Sequence, residues 1–238
     1  MTEWFEEWFG EEYLLLYPHR DDTDAQRVVS LIVNTLGVGP AWRVLDVACG
    51  AGRHAKGFRD GGATTIGVDL SMPLLRRARA VAAVPLARCD VRALPIRPRS
   101  VDLAVNLFTS FGYFADDAAH LCALREMVRP VRPGGWFVLD FLNAPWVRAS
   151  LVPRETTTLG GVAVGVERGL EQGGRSVVKT ITTKEGRQFR EQVRLYEREE
   201  LVAMLAGAGC RVRHQFGSYD GAAPGPAAPR VVLMGQTG

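Results

Sequence analysis

The sequence predicts an α/β fold: a doubly wound, mostly parallel sheet covered by helices on both faces, with a small antiparallel β insert. Three observations carry this. Short apolar runs of strand character alternate with helix-period segments from about residue 24 to 145, the rhythm of repeated βαβ units. Acids recur where the first three runs end, at Asp46, Asp69 and Asp90. Beyond about residue 154 the pattern changes to strand alternation and β-branched residues around glycine pairs, which indicates hairpins.

The elements follow in order. Phe5, Trp8 and Phe9 with Glu12 or Tyr13 keep helical spacing, so the aromatic N-terminus reads as an amphipathic helix, either docked on the core or serving as a lid. Residues 24–36 carry apolar positions at helical spacing (Val28, Leu31, Ile32, Leu36), and Gly37 stops them. Val44–Val47 is a buried strand, and residues 53–59 form a helix closed by Gly61-Gly62. Thr65–Asp69 is the second strand. Ser71 caps a helix that has Pro73 in its first turn and runs to about Ala83. Pro85–Asp90 and Val101–Leu107 are the third and fourth strands. A helix spans residues 116–128, and Arg132-Pro-Gly-Gly135 is a tight turn into a fifth strand, Trp136–Phe141.

The change of pattern divides the chain into residues 1–153 with 198–238, and an insert over 154–197. Within the insert, residues 156–171, 175–185 and 187–197 read as three antiparallel strands, with a bulge or register change in the last. A helix over 199–208, a strand Cys210–Phe216, a loop rich in Ala, Pro and Gly, and a strand Arg230–Met234 complete the chain. The two last strands form an antiparallel closing hairpin.

Composition excludes several classes. The 238 residues are 47% hydrophobic and 23% charged with a net charge of +3, ordinary for a folded domain with a sizeable core. Lysine stands only at 56, 179 and 184, and the arginines are scattered, with one cluster at Arg76-Arg77-Ala78-Arg79. Scattered charge does not make a nucleic-acid stripe, so no nucleic-acid partner is expected. Cys49, Cys89, Cys122 and Cys210 lack metal or C-x-x-C spacing, which points to free thiols and no metal. The acidic, aromatic start is not a secretory signal, and no apolar run reaches membrane-spanning length. A cytoplasmic protein without a membrane partner is expected.

The chemistry concentrates between Arg43 and His54. The strand stem runs into Gly50-Ala51-Gly52, where glycine lets backbone approach a ligand and a helix start aims free N–H groups at it. Asp46, just before the turn, is an acceptor where a nucleotide phosphate wants a donor. In open α/β sheets ligands sit outside the carboxyl ends of the strands. Asp69, about twenty residues past the glycines, is placed to accept from both ribose hydroxyls. Asp90, beside Cys89 and Val91, is placed to accept from an exocyclic adenine amine. Three acceptors and a glycine loop describe a nucleoside with a cationic or zwitterionic tail. Gly50-x-Gly52-x-x-Ala55 with Asp69 also satisfies the dinucleotide fingerprint, so an NAD(P)-dependent oxidoreductase stays open. Against it stand the charge of Asp46 and the lack of a Cys, His or Lys motif for hydride transfer.

These segments resemble the class I S-adenosylmethionine-dependent methyltransferases. The matching residues are Val44-Leu-Asp-Val-Ala-Cys-Gly-Ala-Gly52, Gly67-Val-Asp-Leu-Ser71, Cys89-Asp-Val91, Asp102-Leu-Ala-Val-Asn-Leu107 and Arg132-Pro-Gly-Gly-Trp-Phe-Val-Leu-Asp140. Ala48 departs from the glycine many members carry. The resemblance implies a Rossmann-like seven-stranded sheet of order 3-2-1-4-5-7-6 with strand seven antiparallel. It implies S-adenosylmethionine as cofactor, with Asp46 and Ala48, Gly50 and Gly52 near the methionine moiety, Asp69 on the ribose and Asp90 near the adenine. Leu70, Val91, Asn106, Tyr17 and Arg20 complete the expected cofactor set. The insert looks like that of small-molecule methyltransferases, where it roofs the acceptor pocket or forms a subunit contact, so a homodimer is possible.

The acceptor side is written less plainly. Residues 106–114 leave strand four at the active face, which makes Phe108 and Phe111 candidate pocket walls and Tyr113 the first candidate for orienting or deprotonating a nucleophile; a packed aromatic loop is the plainer reading. His19 and Asp220 follow as candidate bases, and Tyr13, Asn143 and Tyr219 as acceptor contacts, with Trp146 weaker. His54 reads as a cap or a solvent-facing residue. Methyl transfer needs alignment, water exclusion and removal of a proton more than a catalytic triad. The expected function is methyl transfer to an N or O nucleophile of a small-molecule acceptor. An S-adenosylmethionine-binding protein without catalysis is the remaining alternative.

Overall fold

The structure is a computed structural model and describes residues 3–17 and 22–238. Seven strands form one mixed sheet: β1 (Arg43–Val47), β2 (Thr64–Asp69), β3 (Leu86–Arg88), β4 (Val101–Asn106), β5 (Val131–Leu142), and, late in the chain, β10 (Cys210–Phe216) and β11 (Arg230–Thr237). Their order is β3-β2-β1-β4-β5-β11-β10. β11 runs antiparallel to both of its neighbours, and the other central pairs are parallel. This is the order 3-2-1-4-5-7-6 expected from the resemblance, with β11 as the seventh strand.

Period-two alternation sorts the core. Leu45, Val47, Ala104, Phe137, Leu139 and Phe141 face one side of the sheet, under α6 (Asp117–Val128) and α8 (Arg198–Gly207). Val44, Leu103, Val105, Val138 and Val232 face the other, under α3 (Asp22–Leu36) and Phe58 of α4 (Arg53–Asp60). The helix starts are fixed by their caps. Ser71 accepts from the Leu74 N–H at the start of α5 (Met72–Ala82), and Asp116 accepts from the Ala119 N–H at α6. Glu197 and Glu200 make a reciprocal capping box at α8.

Five expectations change. The N-terminal helix is two short ones, α1 (Trp4–Trp8) and α2 (Glu11–Leu16), because Gly10 takes an extended conformation between them. The Arg132–Gly135 turn lies within β5 as an irregularity: Val101 pairs with Val131, but Leu103 pairs with Trp136. A side chain at Gly135 would meet the Asp102 and Arg132 carbonyls at 2.9 Å, so only glycine closes this excursion. A further helix, α7 (Ala144–Ser150), follows β5. The insert holds four antiparallel strands rather than three, β6 (Arg154–Leu159), β7 (Val162–Glu171), β8 (Ser176–Thr183) and β9 (Gln188–Arg194), since the Gly160-Gly161 turn splits the first segment. The bulge expected in the last segment is absent; β8 and β9 pair without a shift from Ser176 and Arg194 to Thr182 and Gln188. Phe189, Val193 and Leu195 share parity, so a regular strand suits them.

One face of the four-stranded sheet is covered by the N-terminal helices. Val164, Val166 and Ile181 pack with Trp8, Tyr13 and Leu16, and with Leu74 of α5. Among the described residues no helix is long and apolar enough to cross a membrane. Ile181 is fully buried at the centre of this second core. Ile181→Ala is expected to cost about 2–5 kcal/mol in chemical denaturation, the usual range for emptying such a site.

Candidate active site

The site forms where β1, β2, β3 and β4 end. Beyond β1 the chain turns at Ala48, Gly50 and Gly52, all at positive φ (56°, 53° and 82°). The two glycines serve different ends. A side chain at Gly52 would meet Ala82 and Ala78 of α5 at 2.9 and 3.0 Å, whereas one at Gly50 would meet nothing within 4 Å. Gly52 therefore admits the neighbouring helix, and Gly50 opens backbone toward free space.

Asp69 ties this turn to the next strand. Its Oδ2 accepts from the Gly50 N–H and its Oδ1 from the Ser71 N–H, both at 2.8 Å. Burial pushes its pKa up, against the pull of these N–H groups. Asp46 is buried below the turn, and one carboxylate oxygen has no partner among the described residues. Burial, opposed by the Ala55 N–H and aided by the Asp69 charge, pushes its pKa up to about 7. His54, in the first turn of α4, is buried too, with Nε2 unpaired, and burial beside Arg53 lowers it to about 3. The expectation of a solvent-facing His54 is corrected: the α4 start points it inward. Asp90 is held by Arg92, whose backbone N–H and guanidinium both donate to it. Burial opposes ionisation of Asp90, but Arg92 outweighs it and keeps the pKa below the usual value.

A cavity of about 440 Å³ opens above these groups. Ala48, Gly50, Asp69, Leu70, Asp90 and Val91 of the expected cofactor set line it together. Phe108, Phe111 and Tyr113 form a wall, and Tyr13 and Tyr17 join it from the N-terminal segment. The Tyr113 hydroxyl donates to the Thr109 carbonyl at 2.5 Å, and its ring stacks on Phe9 at 5.7 Å with Trp4 edge-on at 5.1 Å.

Other expected residues are not brought to the cavity. Asp220 is exposed and paired with Arg27 of α3, because the loop bearing it folds back across that helix. Tyr219 is buried, with its hydroxyl donating to Asp140 at 2.7 Å. The Asn143 amide donates to the carbonyls of Gly225 and Ala228, bracing the loop before β11. Asn106 is fully buried and donates to the carbonyls of Val47 and Ser110, holding the strand ends beneath the cavity. Trp146 is half-exposed on α7, outside the lining. His19 and Arg20 lie outside the described residues.

The roof is the N-terminal segment, anchored at several points. Ser71 donates to the Phe9 carbonyl. Arg92 bridges from Asp90 to Glu3 at 2.8 Å and lies over the Phe114 ring. The Trp8 indole donates to Glu191 at 2.6 Å and Lys179 to the Tyr17 hydroxyl at 2.5 Å, so the four-stranded sheet supports the roof from behind. Sequence reasoning missed Arg53, Glu6 and Arg92 as site residues. The signal for Arg92 was its place two residues after Asp90, where a side chain and N–H reach back to the same carboxylate.

Comparison with known proteins agrees with this geometry. Residues 44–135 match the methyltransferase domain family. A Streptomyces venezuelae dTDP-3-amino-3,4,6-trideoxy-alpha-D-glucopyranose N,N-dimethyltransferase is 28% identical over 191 residues, 75% of this chain and 79% of that protein. A demethylmenaquinone methyltransferase from a Mycobacterium species is 36% identical over 114 residues, and the chain spans only 47% of it. Among solved structures, the sugar N-methyltransferase KedS8 from a Streptoalloteichus species superposes with a TM-score of 0.71 at 26% identity over 96% of this chain and 93% of that one. The CcbJ methyltransferase from Streptomyces caelestis gives 0.81 at 18% identity over 96% and 97%. Residues 44–135 therefore carry a methyltransferase domain, and the similarity supports an S-adenosylmethionine-dependent enzyme with S-adenosylmethionine as its cofactor.

The residues present fit that cofactor, since the buried, half-unpaired Asp46 suits a cationic group and the opening at Gly50 admits one close to backbone. A raised Asp46 pKa favours the ligand-free fold below the usual carboxylate range, and that contribution is lost as pH rises through about 7. A cation beside Asp46 reverses the preference and expels the proton. S-adenosylhomocysteine keeps the α-ammonium group, so calorimetry should show its affinity rising by up to about tenfold per pH unit from pH 5 to 7, with up to one proton released, and levelling above, where Asp46 is already ionised. Asp46→Asn should flatten the profile.

Proposed function

We propose that the chain methylates a nitrogen or oxygen nucleophile of a small molecule, with an amine favoured. The observation that carries this is the shared cavity: Ala48, Gly50, Asp69 and Asp90 of the expected cofactor set and the aromatic wall bearing Tyr113 line one space. Its volume of about 440 Å³ suits a small ligand. S-adenosylmethionine supplies a methyl group on a sulfonium that is already a good leaving group. Asp46, Asp69 and Asp90 bind and orient the cofactor from below. The anchored N-terminal segment excludes water above it. Tyr113, which lines the cavity with its hydroxyl donating to the Thr109 carbonyl, accepts a hydrogen bond from the N–H or O–H of the acceptor.

An amine is favoured because Glu6, Phe9, Tyr13 and Tyr113 line the same cavity, and aromatic faces with an acid attract an ammonium, which passes a proton to the Glu6 carboxylate before its nitrogen attacks the methyl group. The similar Streptomyces and Streptoalloteichus proteins are named as N-methyltransferases of amino sugars and sugars, which supports this choice. Residues 154–197 are proposed to act as the support of the roof.

Radiolabelled methyl transfer to a panel of small amines, amino sugars and their hydroxyl analogues tests the reading. Turnover is expected with amine members, and a panel in which none is methylated contradicts it. Tyr113→Phe is expected to lower kcat on the best acceptor by about 10²-fold or more while S-adenosylhomocysteine affinity stays unchanged.

A further inference from the structure

We propose that the buried Asp140–Arg230–Tyr219 network is a positioning device for methyl transfer, holding Phe108 and Thr109 so that the Thr109 carbonyl orients the Tyr113 hydroxyl. This rests on the reading of Tyr113 as the group that meets the acceptor.

Phe108 and Thr109 both sit in the left-handed region, at φ 59° and 63°. Neither is glycine, and Thr109 is β-branched, so the conformation is unfavourable unless the surroundings impose it. Asp140, at the end of β5 and fully buried, imposes it twice. Its Oδ2 accepts from the Phe108 N–H at 2.9 Å, and its backbone carbonyl accepts from the Thr109 N–H at 3.1 Å. Arg230, the first residue of β11, donates through Nε to Asp140 Oδ1 at 2.8 Å and through a terminal nitrogen to Thr109 Oγ1 at 3.0 Å. Tyr219 completes the set, donating to Asp140 Oδ2 at 2.7 Å.

A buried ion pair is weak support for stability on its own, because desolvation offsets the attraction. Here its hydrogen bonds are directed onto one dipeptide of the loop after β4. The Arg230 guanidinium also lies 5.8 Å from the centre of the Phe108 ring, which lines the cavity. Thr109, fixed through its N–H and its hydroxyl, then presents its carbonyl to Tyr113 at 2.5 Å. Asp140, Tyr219 and Arg230, all remote in sequence from the loop, thus converge on Thr109, whose carbonyl accepts from the Tyr113 hydroxyl. Asp140, Arg230 and Tyr219 do not line the cavity and act through Thr109 and Tyr113.

Tyr219→Phe and Arg230→Lys test this in the intact chain, each compared with wild type in Tyr113 and Tyr113→Phe backgrounds. In the ligand-free protein, amide exchange at Phe108 and Thr109 is expected to rise about tenfold while β1 and β4 stay protected. S-adenosylhomocysteine affinity is expected to stay within about twofold, and kcat to fall about tenfold with the cofactor KM unchanged. In the Tyr113→Phe background neither substitution should lower kcat further, since both act through that hydroxyl. Unchanged exchange at Phe108 and Thr109 in both variants, or an equal kcat loss in both backgrounds, overturns the proposal. The exchange measurement needs no acceptor, so a failure to find any methylated acceptor counts against the proposed function and leaves this test standing.

Discussion

The Asp69 carboxylate is the joint on which the site depends. By accepting from Gly50 and Ser71 at once, it fixes the distance between the glycine turn after β1 and the start of α5. The same turn carries the backbone opening, and the same serine bonds the roof through the Phe9 carbonyl. One buried acid therefore sets the floor of the cavity and the height of its cover. Its two bonds are backbone N–H groups, so the geometry does not rely on flexible side chains.

Around this joint the fold distributes two tasks. The parallel sheet delivers acids to one edge, which follows from its topology, and its alternating core leaves those strand ends free of packing duties. The four-stranded sheet contributes no lining residue of its own. It carries the aromatic helices through Ile181, Glu191 and Lys179, and thereby closes a site it does not touch. The loop after β4 is braced at both ends. Asp140 holds Phe108 and Thr109, while the buried His120 accepts from the Phe114 N–H and the β9 backbone donates from Arg194 to Gly112. Burial keeps His120 at about 4, so it stays neutral and able to accept near neutral pH.

The sheet and the cofactor side were legible because local signals and topology agree there. Asp46, Gly50, Gly52, Asp69 and Asp90 sit at strand ends that periodicity locates, and the parallel order brings strand ends together without further information. The acceptor side was less so. Topology brings the 217–221 loop, with Tyr219 and Asp220, and the end of strand five, with Asn143, to the active edge, but side-chain direction there is set by partners distant in sequence: Asp140, Arg27 and the 225–228 carbonyls. The link from Arg92 to Glu3 and the brace of Asp140 on Phe108 likewise join residues that no spacing rule connects. The split of α1 from α2 and the fourth strand of the insert turned on Gly10 and Gly160-Gly161, whose effect on hydrogen bonding a helical or strand period does not register.

The cavity above Asp46 and Asp69 is the place proposed for S-adenosylmethionine. Titration calorimetry of the intact chain with S-adenosylhomocysteine, repeated in excess NADP⁺ and NAD⁺, tests it most directly. Saturable binding at one site per chain, unaffected by either dinucleotide, is the expected result. Absence of binding, or its displacement by a nicotinamide dinucleotide, would contradict it.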